Sequence, residues 1–150
     1  MRFSRHPGWR SALVIISGST IVETQMLRFQ PFWLALGWVW VALVIYLSLT
    51  PHPPELSVMS GDKIGHTIAY LFLMLWFAQI YRSLSTRMRI AIGLVLLGIA
   101  IEFAQEQTGY RRFEVADMGA DAIGVAIGWL LSFTPLRETL RLAERIVISR

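Results

Sequence analysis

The sequence contains twenty consecutive residues without a charged side chain, residues 31–50, PFWLALGWVWVALVIYLSLT. At a rise of about 1.5 Å per residue, a helix of this length matches the hydrocarbon thickness of a bilayer, about 30 Å. Pro51, Pro53 and Pro54 follow directly and end the helix, because proline lacks the amide donor and restricts the residue before it. The segment therefore predicts a first transmembrane helix.

Composition agrees with a membrane protein. Hydrophobic residues make up 55% of the chain and charged residues only 16%, whereas about a quarter of an ordinary soluble domain is charged. The net charge of +4 does not indicate a nucleic-acid partner, because the arginines lie between apolar runs and form no stripe with interleaved aromatics. The absence of cysteine excludes disulfides and thiolate metal sites. We expect one compact domain whose immediate partners are membrane lipids.

Three further apolar segments predict the rest of an all-α, polytopic bundle of four transmembrane helices. We predict helices over residues 62–81, 88–104 and 115–133. The last of these contains Gly124 and Gly128, a GxxxG pattern that favours close helix packing in membranes. The membrane domain would cover residues 31–134. Residues 135–150 predict an amphipathic helix on the membrane surface. Its apolar stripe would hold Leu136, Leu140, Ala143 and Ile146 or Val147, opposite the arginines and glutamates.

Residues 1–30 lie outside this unit. Arg2, Arg5 and Arg10 precede a short apolar run, as in a signal peptide, but no small-residue cleavage site follows. The run is also too short to cross a bilayer. Two interpretations remain open: an interfacial segment, or an upstream extension with Met26 as the true start.

The arginines predict the orientation. With four spans, the N-terminal region, the connection holding Arg82, Arg87 and Arg89, and the tail fall on one side of the membrane. Positively charged segments stay in the cytoplasm, so both termini are expected there, in a plasma (inner) membrane. The connections of residues 51–63 and 105–117 then face outward.

Polar residues recur at the outward ends of the last three helices, and ionisable groups at membrane depth are functional candidates by default. The spacing of Asp62, His66 and Tyr70 places them on one helical face, and Glu102 shares a face with Gln105 or Glu106. The candidate binding residues are Asp62, Lys63, His66, Tyr70, Glu102, Gln105, Arg111, Asp117 and Asp121.

In order, these residues form D-K-x-x-H-x-x-x-Y from Asp62, E-x-x-Q from Glu102, and R-x5-D-x3-D-x-x-G from Arg111 to Gly124. The pattern resembles that of the VanZ-like family of small bacterial membrane proteins and covers about residues 31–131. One departure is Asp121, where the family pattern has asparagine. The family takes its name from a member linked to teicoplanin resistance, and the resemblance implies a role in the cell envelope without an established reaction.

Three functions fit the residues themselves. The polar set could be a structural network, in which Arg111 or Lys63 neutralises the acids. It could bind the headgroup of a lipid-linked or peptidoglycan-related molecule, with a cation for phosphate and carboxylates for hydroxyl or ammonium groups. It could also be an enzyme that uses His66 with Glu102 and Asp117 for acid-base or metal-assisted chemistry. No dedicated catalytic motif is present, and no cofactor or metal is predicted.

Overall fold

The computed structural model describes residues 27–51 and 61–149, without the side chains of residues 61 and 62. Over these residues the prediction of an all-α protein is confirmed. The elements are α1 (Gln30–Leu49), α2 (Gly61–Ile80), α3 (Leu84–Gln107), α4 (Val115–Leu131), a 3-10 turn (Pro135–Glu138) and α5 (Thr139–Ile148). Residues 1–26, for which an interfacial segment or an upstream extension before a start at Met26 was expected, fall outside the described residues.

Three of these helices are long and apolar enough to cross a membrane: Gln30–Leu49, Lys63–Ile80 and Leu84–Gln107. A fourth span is counted if α4 is taken together with Pro135–Ile148, from which it is bent by 79°. Large apolar side chains are exposed along the helices, including Trp38, Leu96 and Leu130. Apolar surface of this kind on a helical bundle is typical of contact with lipid.

Helix α2 lies at the centre of the bundle. It contributes Tyr70, Leu73 and Met74, which are almost completely buried, and contacts α1, α3 and α4. Its tightest partner is α4, where Gly124 and Gly128 lie against its backbone. A methyl group on Gly128 would lie 2.6 Å from the Leu71 carbonyl oxygen. The two glycines therefore let the helix backbones approach each other as small residues do in membrane bundles.

Helix α3 begins earlier than predicted, at Leu84, so Arg87 and Arg89 belong to a helix and not to the preceding connection. Arg87 is buried. Its guanidinium donates to the carbonyl oxygens of Tyr81 and Arg82 at 3.1 and 3.0 Å, and to Ser132 Oγ at 3.2 Å. These groups follow the C-terminal ends of α2 and α4, where a cation complements the helix dipoles. These hydrogen bonds explain how the charged Arg87 side chain can be buried within the bundle.

The tail forms a helix, as predicted, but its buried face differs from the predicted stripe. Leu140 and Glu144 are buried, whereas Leu136, Ile146 and Val147 are exposed. Gln79 Oε1 accepts hydrogen bonds from Thr139 Oγ1 and the Leu140 amide, at 2.6 and 3.0 Å, and attaches α5 to the end of α2. The prediction placed glutamate on the polar face and was wrong for Glu144, because this carboxylate has partners inside the bundle.

Candidate polar site between α2, α3 and α4

The alternating direction of the helices brings the start of α2, the end of α3 and the start of α4 to one end of the bundle. At this end Lys63 Nζ donates to Glu114 Oε2 at 2.8 Å and lies 3.3 Å from Asp117 Oδ1. Lys63 and Glu114 are both partly exposed, while Asp117 is buried. The hydrogen bond from Lys63 holds the pKa of the Glu114 carboxyl below its ordinary value.

One turn deeper, His66 and Asp121 form a second pair across the same two helices. His66 Nδ1 lies 2.9 Å from Asp121 Oδ1, and only 4% of the Asp121 side chain is exposed. Thr67 Oγ1 donates to the Ala120 carbonyl oxygen at 3.2 Å beside this pair. Gly98 of α3 provides the space for the carboxylate, because a methyl group there would overlap Asp121. Three helices thus enclose one imidazole-carboxylate pair.

Glu102 and Gln105, both buried, hold helix ends together. Glu102 Oε1 accepts a short hydrogen bond from the amide of Glu114, the residue that precedes α4. Gln105 Nε2 donates to the Ser48 carbonyl oxygen at 2.8 Å. Since the last carbonyl groups of a helix have no intrahelical donor, Gln105 completes the end of α1. Both contacts are structural, and Glu106, the alternative partner on this face, is exposed.

Two polar atoms at this end are buried without a hydrogen bond from any described residue, Tyr70 Oη and Arg111 Nε, whereas Asp117 Oδ1 has only the 3.3 Å ion pair with Lys63. Tyr70 is only 1% exposed. Arg111, expected to neutralise the acids, forms no ion pair within residues 27–51 and 61–149, and Lys63 takes that role for Asp117. The side chain of Asp62 lies outside the described residues. Buried polar groups are nearly always paired, so these atoms indicate a place for water or a ligand.

The buried acids of this site outnumber the cations that contact them. Glu102, Asp117 and Asp121 are buried acids with less than 5% exposure each. The cations that contact this group are Lys63 and, when protonated, His66. A buried carboxylate is costly without a partner, so the site favours protons, donors or a cationic group. Among the described residues, no three His, Asp or Glu side chains are arranged to hold a metal ion.

Several contributors were not singled out from the sequence. Glu114 immediately precedes α4 and forms an ion pair with Lys63 of α2. Tyr110 donates from its hydroxyl to the Leu49 carbonyl oxygen at 2.6 Å, beside the Gln105 contact. A signal existed for Glu114, because it immediately precedes the apolar segment. Thr67 carried none, since only the packing of α2 against α4 gives it a role. Gly98, as a glycine within an apolar helix, indicated a close helix contact, but not that it makes space for Asp121.

Comparison with known proteins adds one relative. An uncharacterised protein of the fission yeast Schizosaccharomyces pombe is 28% identical over 115 residues, which cover 75% of this chain and 69% of the relative. No family model matches the sequence, and no solved structure matches it. Over its described residues the chain is thus all-helical, has helices long and apolar enough to cross a membrane, and is similar to an uncharacterised fission yeast protein.

Proposed function

We propose that this chain is a VanZ-like integral membrane protein that binds the polar headgroup of an envelope molecule at the site between α2, α3 and α4. The headgroup would belong to a lipid-linked or peptidoglycan-related molecule. One observation carries the proposal: Tyr70 Oη and Arg111 Nε are buried without hydrogen bonds from the described residues, at the end where the two cross-helix ion pairs lie. A purely structural network would pair these atoms.

The proposal includes four crossings with α4 as the fourth. At about 1.5 Å per residue, its 17 residues span about 25 Å, slightly less than the hydrocarbon core. Arg82, Arg87 and Arg141 lie at the end opposite to the polar site, as their contacts with the ends of α2, α4 and the tail indicate. The positive-inside rule puts this end in the cytoplasm and the polar site near the outer leaflet.

The chemistry of the site suits a headgroup with both acidic and donor functions. Asp117 and Asp121 would accept hydrogen bonds from hydroxyl or ammonium groups, since ionised carboxylates are pure acceptors. Lys63 is 40% exposed, so its ammonium group can also reach a phosphate, and Arg111 would be a second cation for that phosphate. His66 is held by Asp121 and donates or accepts according to its protonation state.

Native mass spectrometry in nanodiscs tests this function. The wild-type chain should retain a lipid-linked or precursor molecule through mild extraction, and Asp117→Asn and Arg111→Gln should release it. Glu106→Gln is the matched control, because Glu106 is exposed and outside the site. Thermal unfolding of the same samples separates binding from structure. A wild-type protein without any retained molecule, together with an Asp117→Asn variant of reduced stability, would leave a structural network as the whole role.

A second function is favoured by the His66–Asp121 pair alone. A carboxylate 2.9 Å from an imidazole nitrogen orients the ring, as in a general base that activates water. In this alternative the site would hydrolyse or transfer a group on a lipid-linked substrate. Release of product from such a substrate by the wild type and not by His66→Gln would support catalysis. Equal product from both proteins would exclude this role for the pair.

A further inference from the structure

A cavity lies at the end of the bundle opposite to the polar site, where the arginines are concentrated. It has a volume of about 260 Å³ and lies where the beginning of α1, the end of α2, the beginning of α3 and α5 meet. The polar part of its wall consists of Gln30, Gln79, Arg82, Ser83, Thr86 and Arg141. None of these residues belongs to the polar site of the proposed function.

The charge around this cavity is positive. Arg82, Arg137 and Arg141 all contact one carboxylate, that of Glu138, at 2.8, 3.1 and 3.2 Å. Three guanidinium groups against one acid leave an excess of two positive charges. Glu144, the acid within α5, is not among the residues that line the cavity, and it accepts hydrogen bonds from the Arg28 and Phe29 amides. The Nε atom of Arg141 is buried and has no hydrogen-bond partner in the described part of the chain.

The beginning of α3 adds further donors to the same wall. Ser83 is the N-cap residue, and its side chain makes no capping hydrogen bond. The first amides of a helix have no intrahelical acceptor and lie at the positive end of the helix dipole. Thr86, in the first turn, also lines the cavity. Uncapped amides beside two guanidinium groups are the donor set that phosphate groups prefer.

We propose that this cavity binds a phosphate group, supplied by the headgroup of an anionic phospholipid in the adjacent leaflet. The position of α5 favours a lipid as the source. Its exposed apolar residues, Leu142 and Val147 among them, suit a helix lying in the interface, which brings the cavity to headgroup depth. Basic pockets at that depth attract anionic headgroups, because cation and phosphate meet in a medium of reduced polarity.

The test uses the full-length chain in nanodiscs of phosphatidylcholine, with and without phosphatidylglycerol. The wild type should retain phosphatidylglycerol through extraction and unfold at a higher temperature in its presence. Arg141→Gln should weaken retention at least about tenfold, because it removes hydrogen bonds between charged groups. Arg145→Gln is the matched control: it makes the same charge change on the same helix, but Arg145 is exposed and does not line the cavity. Equal losses in both variants would overturn the proposal.

A second variant, Ser83→Asp, distinguishes a loss of phosphate binding from a loss of folding. Aspartate is a good N-cap residue, so this variant should be at least as stable as the wild type in phosphatidylcholine alone. The added carboxylate should nevertheless repel a phosphate and abolish retention. Undiminished retention in Ser83→Asp would overturn the proposal.

Inorganic phosphate, added to protein in phosphatidylcholine nanodiscs, distinguishes the source. Stabilisation of the wild type but not of Ser83→Asp by inorganic phosphate would support the site and assign it to a soluble phosphate. Stabilisation by phosphatidylglycerol alone supports the lipid. If neither ligand affects the wild type, the cavity is not a phosphate site.

Discussion

Glu144 offers the sharpest test of how the tail is attached to the membrane helices. Its carboxylate accepts three hydrogen bonds, from the amides of Arg28 and Phe29 and from Trp33 Nε1, each 2.8 Å long. The residue is 6% exposed. The acceptor therefore lies at the N-terminal end of α1, where a negative charge is favourable, and joins the last helix of the chain to the first one described.

The expected cost of Glu144→Gln follows from these contacts. Glutamine retains an oxygen for Phe29 and Trp33. Its NH2 group replaces the oxygen that accepts from the Arg28 amide, so two hydrogen-bond donors would face each other there. The variant loses one hydrogen bond to a charged group, about 1.5–3 kcal/mol, and a favourable charge at a helix end, about 0.3–1 kcal/mol. We expect a loss of about 2–4 kcal/mol of unfolding free energy, which corresponds to roughly 5–15 °C for a chain of this size.

The pH dependence gives an independent check. Burial raises the pKa of the Glu144 carboxyl, but the Phe29 and Arg28 amides and the Trp33 indole outweigh burial and leave that pKa below its ordinary value of 4.5. A group with a lowered pKa stabilises the folded state above its unfolded pKa, and the stabilisation disappears as the pH falls through the folded pKa. The difference between wild type and Glu144→Gln should thus be full near neutral pH and shrink below about pH 4.5.

The assay is thermal unfolding in detergent, followed by tryptophan fluorescence. Glu106→Gln serves as the control, since it removes an exposed carboxylate from a helix and should change the midpoint by less than about 0.5 kcal/mol. A Glu144→Gln variant as stable as this control at neutral pH would refute the reasoning. It would mean that α5 is not attached to the start of α1 through this carboxylate.

Three further predictions concern packing, topology and helix ends. Gly124→Ala should destabilise the bundle by about 1–3 kcal/mol in detergent unfolding, because the added methyl group would meet the backbone of α2. Gly65→Ala is the control, since its methyl group would enter open space and the variant should be neutral or stabilising. Equal effects of the two substitutions would contradict the close packing. In intact cells, a membrane-impermeant thiol reagent should label Gln107→Cys but not Arg145→Cys. Both positions are exposed, and the chain has no cysteine of its own. Labelling of both variants from the same side would contradict the proposed topology. Tyr110→Phe removes the hydrogen bond to the Leu49 carbonyl oxygen and should cost about 1 kcal/mol, measured as a lower unfolding midpoint; an unchanged midpoint would show that this contact adds nothing.

Much of the fold followed from periodicity and length. The uncharged run at residues 31–50 predicted a helix that the structure has at Gln30–Leu49, and the predicted second helix differs from Gly61–Ile80 by one residue at each end. The start of α3 could not be predicted, because arginine near a helix start ordinarily indicates a connection. Arg87 can be buried because the Tyr81 and Arg82 carbonyl oxygens after α2 and the Ser132 hydroxyl after α4 accept hydrogen bonds from its guanidinium.

The candidate site was predictable in its location and only partly in its contacts. Helical spacing placed His66 on one face with Asp62 and Tyr70, and its pairing with Asp121 followed from the packing of α2 against α4. Gln105 matched the same pattern of polar residues, but it completes the end of α1. A one-dimensional pattern gives the face on which a side chain lies, whereas its partner depends on which helix is opposite at that height.

The sequence by itself determined the helices and the end of the bundle at which the acids lie, because hydrophobic length and periodicity are local properties of the chain. Only the tertiary structure decided which polar groups meet. The glycines of α4 allow it to pack closely against α2, and this packing brings Asp121 to His66 and Asp117 to Lys63. Glu144, near the end of the chain, accepts a hydrogen bond at the start of α1. Such contacts join residues more than fifty positions apart, and their geometry depends on helix packing that no local pattern encodes.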